Sequence, residues 1–232
     1  MAKPPKSGLV LLSSGLDSVV ALAKSQKDGL EVSLALSFDY GQRSAQRELE
    51  HASKLAAHFK VSHRAISLPW FSEFKAQGLL SHEQPLPQPS YEQLNQLEAS
   101  QDSARQVWVP NRNGVFLEIA AGIAEEAGLD AIIVGFNAEE AMTFADNSKG
   151  YLEAMNLALA YSTANQVQVI SPTLELQKTD IVALALRLEV PLRMLWSCYE
   201  AAKIMCGRCE SCMRLKRALT SNGVAFDGYF ND

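Results

Sequence analysis

Apolar residues along the chain follow two rhythms. Nearly continuous apolar runs occupy residues 8–12, 32–38 and 131–134, and each stops at a polar or glycine-containing turn. Runs of that length suit strands buried on both faces. Residues 61–68 and 167–170 repeat the pattern more weakly. Between them, apolar positions recur at helical spacing over residues 17–27, 45–59, 114–127, 149–163 and 179–188. The alternation predicts an α/β fold with a Rossmann-like, doubly wound, mostly parallel sheet.

In such sheets ligands bind beyond the carboxyl ends of the strands. The turns to inspect are therefore residues 13–18, 39–43 and 135–140, all of them polar. Residues 81–105 break the rhythm, with prolines at 85, 87 and 89 among many Gln, Glu and Ser residues. They read as a long exposed loop or lid.

The first turn carries the sharpest chemistry. Leu12 is followed by Ser13, Ser14, Gly15, Leu16, Asp17 and Ser18, and the helix continues through Val19, Val20, Ala21 and Leu22. Small residues between a buried strand and a helix leave backbone N–H groups free, and the helix presents its positive end to an anion. An ordinary helix cap would use the same residue types. There is no Gly-x-Gly-x-x-Gly, and no Lys follows the glycine, so neither the dinucleotide fingerprint nor the P-loop is present.

Composition narrows the ligand. A net charge of -5 lacks the basic surplus that nonspecific nucleic-acid binding requires, so a small nucleotide is expected and no nucleic acid. No apolar run approaches the roughly 20 residues that span a bilayer, and residues 1–6 lack a signal-peptide core. The expected location is cytoplasmic, with no membrane partner. Length suits one core, expected as a domain over residues 1–195 with an appendage over 196–232.

That appendage holds all four cysteines: Cys198, Cys206, Cys209 and Cys212. The two-residue gaps let successive thiolates turn back toward one ion, as closed tetrahedral zinc sites require, and the glycine after Cys206 eases the turn. Disulfides between cysteines this close would be strained. A redox Cys-x-x-Cys would not need the other pair, while an iron–sulfur cluster would use the same four thiolates. Structural zinc is the expected occupant, with no position open for water.

The turn at residues 13–18 resembles the Ser-Gly-Gly-x-Asp-Ser pyrophosphate loop of the N-type ATP pyrophosphatases. Further strings extend the likeness: residues 37–43 (SFDYGQR), 109–113 (VPNRN), 135–139 (GFNAE) and 196–199 (WSCY), leading into the cysteines. Together they resemble the 7-cyano-7-deazaguanine synthase family. The resemblance implies an adenine-nucleotide alpha hydrolase type of fold, a homodimer, and an ATP-dependent ligase. Its reaction would convert 7-carboxy-7-deazaguanine and ammonia through an amide to the nitrile. ATP makes each departing oxygen a leaving group, and pyrophosphate is the by-product. The loop would hold the phosphates, with Asp17 near magnesium and Ser18 beside it. Arg43 and Arg112 would contact phosphate or the substrate carboxylate. Asn111, Asn113, Asn137, Glu139 and Asp146 would recognise the bases. Asn113 also stands where it would cap a helix starting at Gly114. Asp39 and Tyr40 read equally as a cap and a packing residue, and His51, His58 and His63 as ordinary surface or packed residues.

Two departures stand out. Ser14 replaces a family glycine. In residues 141–148, Ala145, Asn147 and Ser148 stand where the family has proline, cysteine and arginine. The missing arginine leaves open a homologue that joins a related acid to a different amine, or a nucleotide-binding module without turnover. A tRNA-thiolating enzyme would need a catalytic thiol outside the four-cysteine set.

Overall fold

The computed structural model describes residues 4–74, 78–81 and 83–231. The elements follow in order: β1 (Ser7–Leu11), α1 (Leu16–Lys27), β2 (Glu31–Asp39), α2 (Ala45–His58), β3 (Ser62–Ser67), α3 (Tyr91–Leu94) and α4 (Leu97–Val107). Then come α5 (Arg112–Glu126), β4 (Ala131–Ile133), α6 (Ala138–Ala141), α7 (Lys149–Ser162), β5 (Gln168–Ile170), α8 (Lys178–Arg187) and α9 (Glu210–Ser221). The strands pair in the order β3-β2-β1-β4-β5, all parallel. The chain winds outward from β1 to β3, then returns to β4 beside β1. That reversal opens a crevice at the carboxyl ends of β1 and β4.

Because side chains alternate across a strand, the sheet divides two cores. Val10, Ala35 and Ile133 face one core with α1, α2, α8 and α9, while Leu9, Leu36 and Ile132 face the other with α5 and α7. The cysteines, Met205, Leu215, Leu219 and Phe230 belong to the first core, so the C-terminal segment packs against α1 and α8.

Residues 81–105 differ from the expected loop. Ser90 caps α3 in a capping box with Gln93, and Leu94, Ser100, Ser103 and Ala104 are buried. The prolines end before Ser90; beyond them, Leu94 of α3 and Ser100, Ser103, Ala104 and Val107 of α4 turn a buried face to the rest of the protein. His82, within that stretch, lies outside the described residues.

Candidate active site

The turn after β1 is held rigid by its own side chains. Ser18 Oγ accepts from the Ser13 N–H at 3.3 Å, donates to the Gly15 carbonyl at 3.1 Å, and lies 3.2 Å from Ser13 Oγ. Ser14 adopts the left-handed conformation, φ 63°, which favours glycine. Its hydroxyl donates to the Ser13 and Trp196 carbonyls, and its own carbonyl accepts from the Trp196 N–H at 3.0 Å. The serine thus ties the turn to the C-terminal segment. Gly15 is the N-cap of α1 and offers no side chain to the first-turn N–H groups, leaving them for an anion.

Gly135, in the turn after β4, lies directly against this loop. A Cβ there would sit 2.6 Å from the Asp17 carbonyl carbon and the Ser18 nitrogen, so only glycine permits the approach.

Lys178, the first residue of α8, reaches the same point. Its ammonium bonds Asp17 and, at 2.7 Å, Glu140. Burial pushes the Asp17 carboxyl up to about 6 against the opposing pull of Lys178. Burial alone would lower Lys178; the two carboxylates outweigh it and keep the ammonium protonated. Sequence reasoning missed Lys178, because a lone Lys opening a helix carries no signal. Glu140 lay within the flagged turn after β4.

These groups face a cavity of about 280 Å³. Leu12, Ser13, Gly15, Leu16, Asp17 and Ser18 form one wall, and Phe38, Tyr40, Arg112, Asn113 and Phe116 form another. Phe38 and Phe116 stack at 4.2 Å, and Arg112 Nη1 donates to the Tyr40 hydroxyl at 3.1 Å. Burial opposes the Arg112 charge, but Tyr40 and Asp146 outweigh it. The arrangement combines anion-binding N–H groups, a fixed ammonium, a guanidinium and aromatic faces: the needs of a nucleotide and a planar acid.

Beside the cavity, the four cysteine Sγ atoms lie within 4.8 Å of one another, all buried. Cys206 and Cys212 are 3.9 Å apart, while thiolates about 2.3 Å from a tetrahedral zinc would be separated by about 3.8 Å. Backbone N–H groups of Glu200 and Cys206 donate to Cys198 Sγ, and that of Cys209 to Cys206 Sγ, each at 3.3 Å. Such donors suit thiolate. Gly207, φ 73°, makes the turn between the first two ligands of the close trio. The four thiols form a set that could hold a metal ion.

A sequence model described as queuosine biosynthesis protein QueC matches residues 7–223. The chain belongs to the QueC family. It is 50% identical over 219 residues to the 7-cyano-7-deazaguanine synthase of Pelotomaculum thermopropionicum, covering 94% of this chain and 99% of that one. Against the synthase of the same name from Bdellovibrio bacteriovorus it is 46% identical over 230 residues, covering 99% and 100%.

Within this QueC-family chain the other flagged residues separate by position. Val19, Val20, Ala21 and Leu22 are fully buried and pack α1 into the core. Arg43 is not among the residues lining the cavity; it bonds the carbonyls of Ser81 and Gln84 and lies 3.4 Å from Glu200. Asn111, not Asn113, is the N-cap of α5, in the left-handed conformation with φ 51°. The helix starts at Arg112, and Asn113 in its first turn reaches the cavity. Asn137 caps α6 by accepting from the Glu140 N–H at 2.9 Å. Glu139 binds Arg214 at 2.6 Å and Arg217, joining α6 to α9. Asp146 is half-buried and accepts from Asn147 at 3.2 Å. Asp39 accepts from the Gly41 N–H, and His63 lies 2.8 Å from Ser37 Oγ. In the divergent turn, Ser148 caps α7 and Asn147 joins the cavity wall. Among the described residues, no helix is long and apolar enough to cross a membrane.

Proposed function

We propose that this protein converts 7-carboxy-7-deazaguanine and ammonia to the nitrile, using ATP twice. The near-full-length identity to synthases of that name carries the assignment. A carboxylate oxygen attacks the α-phosphorus of ATP, pyrophosphate leaves, and ammonia displaces AMP to give the amide. The amide oxygen is then activated in the same way, and loss of AMP with the remaining nitrogen protons leaves the nitrile.

The cavity supports each demand. The first-turn N–H groups of α1, with Ser13 and Ser18, bind the departing pyrophosphate, and Lys178 adds positive charge nearby. Asp17 and Glu140, both bonded to Lys178, would supply oxygen donors to the magnesium that accompanies ATP. Arg112 and Asn113 hold the acid, while Phe38 and Phe116 supply faces for a flat ring. Arg43 acts on the cavity only through the segment it anchors.

Zinc held by Cys198, Cys206, Cys209 and Cys212 would have four protein ligands and no open position, so its role would be to hold residues 196–232 as an appendage on the domain formed by residues 1–195. The protein works in the cytoplasm as a homodimer. Leu157 and Tyr161 on α7, exposed by 64% and 87%, supply an apolar surface for the second copy. Mass spectrometry after incubation with ATP, magnesium, ammonia and the acid tests the assignment: nitrile supports it, whereas an adduct on another amine overturns it.

A further inference from the structure

One carboxylate in the cavity wall has no part in the chemistry above. Glu48, in the first turn of α2, lines the same cavity as Asp17, Glu140 and Lys178. Its Oε1 accepts from Ser44 Oγ at 2.5 Å and its Oε2 from Gln42 Nε2 at 2.9 Å. Gln42 is itself fixed, donating to the Phe38 carbonyl at 3.1 Å and accepting from the Tyr40 N–H at 3.0 Å. Ser44 and Gln42 are both buried. Among the described residues no cation forms a salt bridge with Glu48; burial raises its carboxyl above the usual range, against the pull of the Ser44 and Gln42 hydrogen bonds and of the Arg112 charge. A half-buried carboxylate facing the cavity, held in one orientation by neutral donors and with a lone pair left on each oxygen, can still accept from a ligand that donates.

We propose that Glu48 reads the N1–H and 2-amino edge of the deazaguanine, an inference that rests on the function proposed above. That edge presents two parallel donors, matching the fork of a carboxylate. The adenine of ATP fits poorly, because its N1 lone pair would face the anion beside its single amino group. The aromatic residues adjoin this carboxylate: Phe38 and Tyr40 belong to the same strand end that fixes Gln42. Glu48 therefore acts as a specificity residue, selecting the N1–H and 2-amino edge of the acid before activation.

The test compares 7-carboxy-7-deazaguanine with its 2-desamino analogue, in the wild type and in Glu48→Gln, with kcat/KM and the KM for ATP as readouts. The wild type should prefer the parent acid by about 100-fold or more, as sites built around a hydrogen bond do. Glu48→Gln should reduce that preference below about fivefold and leave the KM for ATP within about threefold, a pattern a purely structural residue would not produce. Wild-type preference below about fivefold overturns the proposal, and needs no variant to fold. Preference retained in Glu48→Gln, with or without a raised KM for ATP, overturns it too. Failure of the wild type to form any nitrile from the parent acid overturns the functional reading itself, and this inference with it.

Discussion

The ammonium of Lys178 is hydrogen-bonded to the Asp17 carboxylate, joining the start of α8 to the first turn of α1 in the cavity wall. Both side chains are largely buried, and Glu140 completes the group. Replacing Lys178 with Met would leave two buried carboxylates without a partner, at a cost of about 3–5 kcal/mol in urea unfolding.

The same pair sets a pH dependence. Folded Asp17 keeps its proton to about 6, whereas the unfolded chain releases it near 3.8. The folded state binds more protons in that window, so this group's contribution to stability falls as pH rises through it. Metal and phosphate binding need the ionised form, so activity moves the other way. Accordingly kcat/KM for magnesium-ATP should fall about tenfold per pH unit below pH 6, and Lys178→Met should move that limb upward. A limb below pH 5 in both proteins would contradict the assignment.

Glu139 offers a sharp separation of structural from substrate roles. Burial opposes its charge, but Arg217 and Arg214 outweigh it and hold the carboxyl below its ordinary range. Its stabilising contribution is complete above the unfolded value of 4.5 and is lost as pH falls through the lower folded value. Glu139→Gln should lower stability by about 2–4 kcal/mol, with the KM for the deazapurine acid within about threefold of wild type. A large rise in that KM with unchanged melting would return Glu139 to the substrate site.

Much of this architecture was legible in the sequence because strands buried on both faces leave continuous apolar runs, as at residues 8–12 and 131–134. The loop after β1 was equally plain, since Ser13, Gly15 and Ser18 are there for local geometry. What escaped depends on distant partners. Arg43, Asn137 and Glu139 carry the right chemistry beside the cavity, yet each is committed to a neighbouring segment: to Ser81 and Gln84, to the start of α6, and to Arg214. Lys178 was invisible for the converse reason, being brought to Asp17 only by the packing of α8 on α1. Ser14 shows how a departure is absorbed, its left-handed backbone braced by bonds to Trp196.

Metal removal should reach the phosphate loop through that brace. Purified protein is expected to hold one zinc per chain by metal analysis. A thiol-competing chelator should lower both the melting temperature and ATP affinity, because Cys198 lies two residues from Trp196 in the shared core. Unchanged ATP affinity after complete zinc loss would show that the tail and the loop are uncoupled.

The exposed apolar face of α7 predicts a dimer. Leu157→Glu with Tyr161→Glu should convert it to monomer by sedimentation, and a wild type that sediments as a monomer would remove that role from α7.

The most direct measurement is a product balance. Purified protein with magnesium-ATP, ammonia and 7-carboxy-7-deazaguanine should release two AMP and two pyrophosphate for each nitrile, with the amide appearing first. Production of ADP and phosphate, or of amide that never proceeds to nitrile, would contradict the account.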